Sequence, residues 1–544
     1  MKKRGILRYA VFCFIVLLFM VPEVSAGWED YEVMKYNFDI DATPRHQWYP
    51  HVVYNPVDNE FMGAWRTEGI LRDDCDPGDE YECSNNFYAI NGRRISPDGE
   101  LLGDLIYFSP LELGFKMMAR LAHNPFTNEY IVSFSKGPSH DAGEIYIARV
   151  DSAGNILSGQ ESLYGSGGGG AGHADIIFNP ERQENLVAYN DRNIFNGYQN
   201  NIGFILNENG TPIKGPFEVG NQVGDQYAPN GVYNPTNGTY LIAWEDFRNV
   251  AGWMEPCDLY GALLDGNGDM ITEIAILDDH GMPDAGNQRT PSIAYNPDKN
   301  EFLIVYKDQK PSLVDSIGIV GRIINADGTA AGPAFVIEDH PKSQLWPTLT
   351  YVEDEKKYFM TWTDSRDDVN PPGSPWAASD DMDIYARWLD ESGNPVGDEI
   401  TIVDSENWQW GSEVVYDPVM KRLLIAWYDY NALDDYDPPP STGWVARPSE
   451  VRGTLYGISS FISGQVIEKG TGDPVGNTKV LVLGPSLPVV KETNEYGWFN
   501  IVEDSQPAGK YLVVVLKFGI PLAIRLVDYT GESLRETIEM NKWW

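Results

Sequence analysis

The sequence predicts an all-β fold in which one four-stranded unit is repeated seven times, and three observations predict it. The first is a recurring phrase: a short apolar run ending in Tyr-Asn-Pro, a polar turn, then a second apolar run ending in an aromatic residue and an acid. Its clearest copy is GVYNPTNGTYLIAWED at 231–246. It returns as VVYNPVDNEFMGAW from Val52, LAHNPFTNEYIVSF from Leu121, IIFNPERQENLVAY from Ile176, IAYNPDKNEFLIVY from Ile293, LTYVEDEKKYFMTW from Leu349 and VVYDPVMKRLLIAW from Val414. The second observation is spacing. Counted from the residue before the turn, the copies begin at Tyr54, His123, Phe178, Tyr233, Tyr295, Tyr351 and Tyr416, at intervals of 69, 55, 55, 62, 56 and 65 residues. The third is that two more short runs about a Gly turn come after each phrase, as in DLYGALLDGNGDMITEIAIL at 258–277. Such runs, alternating or β-branched and bounded by Asn-Pro or Asp-Gly, read as antiparallel strands, and no helix separates them.

One four-stranded sheet cannot bury both faces alone. Stacked face to face and closed into a ring, such sheets make a β-propeller, whose signature is four strands repeated at this period. Seven copies predict seven blades over residues 27–458. The seventh copy supplies Val414–Tyr416, Leu423–Trp427 and Glu450–Leu455, but it has no fourth run. The segment Tyr31–Ile40, ahead of the first copy, has the character of a fourth strand and is expected to complete the last blade. Tight turns fall on one rim. The long connections Arg66–Asn86, Asp246–Asp258, Asp364–Asp383 and Asp429–Arg447 fall on the other, and variable loops on a rigid scaffold are where function is expected.

The chain ends carry their own signals. Lys2, Lys3, Arg4 and Arg8, the apolar stretch Ile15–Val21 and Val24-Ser25-Ala26 read as a signal peptide over 1–26, so the mature chain is expected to be secreted or periplasmic. No later stretch is long and apolar enough for a membrane helix. Without residues 1–26, 36 basic residues face 79 acidic ones, a net charge near −43. That charge argues against nucleic acid or an anionic membrane as partner and makes calcium a plausible companion. Cys75 and Cys83 lie eight apart in DDCDPGDEYECSNN and are expected either to form a disulfide or to stay as free thiols; Cys257 is then the odd one.

From Ser459 the pattern changes. Gly464, the Asp473-Pro474-Val475 turn, Val480, Thr493, Gly497, Phe499, Gly509 and Tyr511 carry a resemblance to the carboxypeptidase regulatory-like (transthyretin-like) domains over residues 459–544. The resemblance implies a small Ig-like β-sandwich that serves as an appendage or interaction module and has no catalytic residues of its own. The propeller portion looks like secreted bacterial repeat propellers, which names an architecture and no reaction.

Three groups of residues bear on function. An acid recurs after the second strand at Asp191, Asp246, Asp308, Asp364 and Asp429, with Arg192, Arg248 and Arg366 behind some of them. It is either a ring of carboxylates for chemistry or a repeated bond that orders the strand end. A feature shared by most blades serves blade structure, whereas chemistry needs the symmetry broken. A second group precedes the first strand: Gln47-Trp48-Tyr49-Pro50, Gln226-Tyr227-Ala228-Pro229, Gln288, Gln344-Leu345-Trp346-Pro347 and Trp408-Gln409-Trp410. Placed around the mouth of the central channel, amides and aromatics suit a neutral polar ligand such as a sugar; the alternative is that Gln ties blades together while the aromatics pack. The glycine-rich run 165–172 is either a lip that places His173 at the same mouth or a plain linker. The third group is acidic: Asp73, Asp76 and Asp79 in one loop and Asp380 and Asp383 in another are candidates for calcium, without the spacing of a known calcium loop.

No serine elbow, zinc-binding His pair or aspartate box is present, and no catalytic residue is assigned. The sequence thus points to an exported, non-catalytic binding protein that presents its long-loop face to a glycan or protein ligand through Gln47, Trp48, His173, Gln226, Tyr227, Gln288, Gln344, Trp346, Trp408 and Trp410. A polysaccharide-active hydrolase or lyase using carboxylates on that face, and a structural role in a surface assembly, are the alternatives.

Overall fold

The computed structural model describes residues 27–43, 45–69, 87–138, 143–163, 172–192, 198–220, 222–248, 257–276, 287–309, 317–366, 382–405, 408–430, 449–459, 462–484, 488–502, 507–517, 520–530 and 534–540. Among them, seven four-stranded antiparallel sheets form the blades of a β-propeller. The inner strands, one per blade in chain order, are Gln47–Asn55, Phe115–Asn124, Ala174–Asn179, Gln226–Asn234, Arg289–Asn296, Gln344–Val352 and Trp408–Asp417. Blade 4 shows the local logic. Inner strand Gln226–Asn234 pairs with Thr239–Asp246, that with Asp258–Asp265, and that with Met270–Ala275. The Asn-Pro turn is built by the asparagine itself: Asn234 Oδ1 accepts the N–H of Asn237 at 3.1 Å, and Gly238 leaves the turn at φ +66. Asn59, Asn128, Gln183, Asn300, Lys356 and Lys421 take the same left-handed position in the other blades, as hairpins of this length require.

The cores lie between blades. Ile177, Leu186, Ile205 and Val219 of blade 3 pack with Tyr240, Ile242, Trp244 and Leu264 of blade 4 in one cluster, and the pattern repeats around the ring. Trp65, Trp244, Trp362 and Trp427 are fully buried at matching positions. Burying each large apolar side chain contributes roughly 1.5–3 kcal/mol, so the inter-blade faces carry the fold.

Two of the strand-end acids, Asp246 and Asp364, make structural ties. Asp246 Oδ2 accepts the indole N–H of Trp244 at 2.8 Å, and both its oxygens bind Arg248. Arg248 continues to Glu273 at 2.6 Å and lies 3.7 Å from the Tyr260 ring. Asp364 repeats this with Trp362, Arg366, Glu399 and Tyr385. The buried acid thus fastens the outgoing loop to its blade.

The seventh sheet has the order Glu32–Asp41, Ser449–Gly457, Arg422–Tyr430, Trp408–Asp417, so the segment ahead of the first blade supplies the outer strand of the last. Blades 7 and 1 are joined further in, where Gln47 N–H donates to Ser449 Oγ at 2.9 Å and Val451 N–H to Gln47 Oε1 at 2.8 Å.

A second compact unit is built on Tyr456–Trp544. One of its sheets has the order Trp498–Ile501, Ile462–Glu468, Leu534–Met540; the other has Val489–Glu492, Lys479–Leu483, Gly509–Lys517, Ile520–Tyr529. Val466, Val480, Phe499, Tyr511, Val513 and Ile538 from both sheets share one core. Gly464 is required by a close approach, since a Cβ there would sit 1.8 Å from the Glu536 carbonyl oxygen.

Candidate functional site: the propeller mouth and axis

In five of the seven blades the inner strand opens at or beside a Gln: Gln47, Gln226, Gln288, Gln344 and Gln409. The glutamines themselves do not face the channel. Gln47, Gln226, Gln344 and Gln409 have no exposed surface and Gln288 has 5%. Gln226 accepts the Asn201 N–H and Gln288 the Leu259 N–H, each at 3.3 Å, while Gln344 accepts the His340 N–H at 3.1 Å and donates to the Lys342 carbonyl at 2.8 Å. These amides satisfy backbone groups that would otherwise be buried unpaired, which corrects their placement as ligand-facing residues.

Two residues after each Gln the strand breaks register. Bulges interrupt pairing at Trp48/His51, Met117/Arg120, Tyr227/Asn230, Arg289/Ser292 and Leu345/Thr348. Tyr49, Met118, Ala228, Thr290, Trp346 and Gly411 there all have positive φ, from 37° to 62°. A left-handed backbone is costly for Thr, Tyr or Trp, and bulges re-aim side chains at sheet rims. The result at blades 6 and 7 is an aromatic group. Trp346 lies 4.3 Å from Trp410 at 52°, Trp410 stacks with Trp408 at 6.4 Å and 26°, and all three are half-buried. The Lys307 ammonium sits 5.2 Å from the Trp346 ring; burial holds its pKa down to about 8, against the pull of Glu245. A second group joins Trp48, Tyr49 and Tyr428, with Arg66 over the first two. Gly411 makes room for it, because a Cβ would lie 2.8 Å from the Tyr428 ring.

The next inward position is not among the residues that the repeat singles out, and it is where the symmetry breaks. In blade order it carries His51, Arg120, Asp175, Asn230, Ser292, Thr348 and Glu413. Each inner strand has one edge without a strand partner, and residues in this column cover it. His51 Nδ1 accepts the Leu121 N–H at 3.1 Å, Asp175 Oδ2 the Gly231 N–H at 2.8 Å, Asn230 Oδ1 the Ile293 N–H at 3.2 Å and Ser292 Oγ the Leu349 N–H at 3.1 Å. Arg120 has no acceptor to offer, and Asp175 covers the Ile176 N–H of its own blade instead at 2.9 Å.

Arg120 and Glu413 depart from this pattern. They belong to blades 2 and 7, with blade 1 between them, yet they approach to 3.7 Å, so the contact joins the inner strands of two blades that are not neighbours. Glu413 makes no hydrogen bond among the described residues, and Arg120 donates only to the Ala119 carbonyl, at 3.4 Å. Their side chains are 25% and 18% exposed. Burial, reinforced by Asp175 and opposed by Arg120, pushes the Glu413 carboxyl up to about 7. Burial also raises Asp175, against Arg120 and its two backbone bonds, and lowers His51 well below its usual value, with Arg120 adding to the effect. A column that changes residue type from blade to blade while its neighbours repeat is the signal in the sequence that could have found these four residues.

The other expected residues fall variously. Tyr227 is half-buried, packs edge-on to Phe247 and donates to Asp225. The His173 N–H is taken by Asn190 Oδ1 at 2.9 Å. Asp383 is buried and accepts the Ser405 N–H at 3.0 Å, which makes it a strand-end tie and corrects its placement in an open acidic cluster. Asp73, Asp76, Asp79, Asp380, Cys75 and Cys83 lie outside the described residues, and among the described residues no three His, Cys, Asp or Glu gather as a metal site. Cys257 is a buried free thiol.

The chain matches no family model and no curated protein. Among solved structures it is similar to a protein of unknown function from Dyadobacter fermentans, at 12% identity and TM-score 0.44 over 79% of this chain and 99% of that one. It is also similar to the β-propeller domain of the Trilobed protease of Pyrococcus furiosus, at 10% identity and TM-score 0.41 over 77% and 94%. A third similarity is to an α-L-arabinanase of Penicillium chrysogenum complexed with arabinobiose, at 12% identity and TM-score 0.36 over 62% and 94%.

Proposed function

We propose that this protein is exported and binds a glycan at the mouth of its propeller, with the C-terminal unit, similar to carboxypeptidase regulatory-like domains, as an appended module. The observation that carries this reading is the half-buried group of Trp346, Trp408 and Trp410. Flat aromatic faces, one of them at the left-handed backbone of Trp346, suit the apolar faces of sugar rings, and the polar groups of the inner strands suit their hydroxyls. Screening the mature protein on a glycan array tests it. Trp346→Ala and Trp410→Ala should each lose binding to whatever the wild type captures, and unchanged binding by both overturns the site. Running the array with and without calcium tests whether the loops holding Asp73, Asp76 and Asp79 take part.

One observation favours a second reading, a polysaccharide-active hydrolase. A carboxyl raised to about 7, with a second carboxyl near it, is the arrangement that acid/base cleavage of a glycosidic bond uses. Product analysis on any array hit separates the readings, since a binding protein leaves the glycan intact.

A further inference from the structure

The geometry points to the Arg120–Glu413 pair as a subsite for a neutral glycan, one that grips a vicinal diol of a sugar ring; this rests on the glycan-binding reading above. Three observations carry it. The pair meets at 3.7 Å between the inner strands of blades 2 and 7, which are not neighbours, so both side chains reach inward past blade 1 rather than tying adjacent blades together.

The pair is also chemically unspent. A guanidinium has five N–H donors and a carboxylate about four acceptor positions. Here one guanidinium N–H goes to the Ala119 carbonyl, no hydrogen bond forms between the two side chains, and both groups keep exposed surface. Adjacent donors and acceptors at this separation match two neighbouring hydroxyls, one accepting from Arg120 and the other donating to Glu413, each through a charge-assisted bond. Opposite the titratable arc of His51, Arg120, Asp175 and Glu413, the column carries only neutral side chains at Asn230, Ser292 and Thr348, which fits a neutral ligand. So does the formal charge of −40, which opposes the approach of an anionic chain.

Arg120 and Asp175 both act on Glu413, and Arg120 acts in turn on Asp175 and His51. Ionised Glu413 accepts from a diol hydroxyl more strongly than the protonated acid does, so affinity rises with pH through the titration of this carboxyl.

The experiment uses an array of linear neutral oligosaccharides attached by their reducing ends, read at pH 5 and pH 8 before and after mild periodate, which cleaves vicinal diols. Wild type should bind more tightly at pH 8 and lose binding to periodate-treated chains. Glu413→Gln should weaken binding about tenfold at pH 8, converge on wild type at pH 5, and lose the pH dependence. Arg120→Gln should weaken binding at both. If Glu413→Gln binds like wild type at pH 8 while Trp346→Ala abolishes binding, the axial subsite is overturned and the glycan reading stands. If periodate leaves binding intact, recognition through a diol is overturned. Silence on the whole array, with wild type folded, overturns both readings.

Discussion

Trp65 donates its indole N–H across the ring seam to Asp41, at 3.0 Å. In blades 4 and 6 the equivalent tryptophan finds an acid in its own blade, at Asp246 and Asp364. Blade 1 has Thr67 at that position, and the missing carboxylate arrives from the outer strand of blade 7, Glu32–Asp41. The segment that completes the last sheet therefore also completes the first blade. Lys35 adds bonds to the Gly99 carbonyl at 2.7 Å and to Glu100 at 2.9 Å.

Removing Tyr31–Ile40 should abolish cooperative thermal unfolding, because it breaks the seam between the last blade and the first and strips the outer strand from a sheet. Asp41→Ala should be milder, lowering stability by about 1–3 kcal/mol for one buried indole left unpaired. Calorimetry on both variants checks this; a truncated protein that melts like wild type would show that the seam does not hold the ring.

Asp364→Ala leaves the Trp362 indole without its acceptor and Arg366 with only Glu399. Breaking a buried, hydrogen-bonded pair from one side costs about 3–5 kcal/mol, so urea unfolding should shift to a clearly lower midpoint. A change within error would mean that the loop end relaxes freely into solvent.

Gln47→Ala removes the acceptor of the Val451 N–H and should cost about 1–3 kcal/mol in the same assay. Glycan binding, in contrast, should survive in the folded fraction, because this amide has no surface in the channel.

Glu413 gives stability a pH dependence of definite sign. Its carboxyl titrates near 7 in the folded chain and in the ordinary carboxylic range when unfolded, so the folded state holds the proton more tightly. The contribution is fully present at low pH and is lost as pH rises from the ordinary range through about 7, a change of up to about 3 kcal/mol. Glu413→Gln cannot ionise and should flatten this part of the profile, gaining on wild type at pH 8. Parallel urea profiles from pH 5 to pH 8 would contradict it.

Cys257 should be inert in the native protein. Its thiol is buried, donates to the Gln288 carbonyl at 3.0 Å, and is pushed well above its usual pKa by burial and then by Glu245. Wild type and Cys257→Ser should give the same thiol titre under native conditions and differ by one thiol in denaturant.

Much of this fold is legible in the sequence because its information is local and repeated. Tyr-Asn-Pro specifies a turn through bonds the asparagine makes within three residues, and seven copies of one hydrophobic phrase specify seven sheets. The strand-end acids belong to the same class, since Asp246 and Asp364 bind a tryptophan and an arginine two positions away. The axis is of another kind. Gln47 and Trp346 sit in one repeated motif, yet the bulge beside them buries the amide and turns the indole toward the mouth. Arg120, Asp175 and Glu413 lie 55 and 238 residues apart along the chain. Nothing local joins them. They meet because closing the ring brings the free edges of seven inner strands to one axis, where side chains from blades distant in sequence share a narrow space and shift one another's charge.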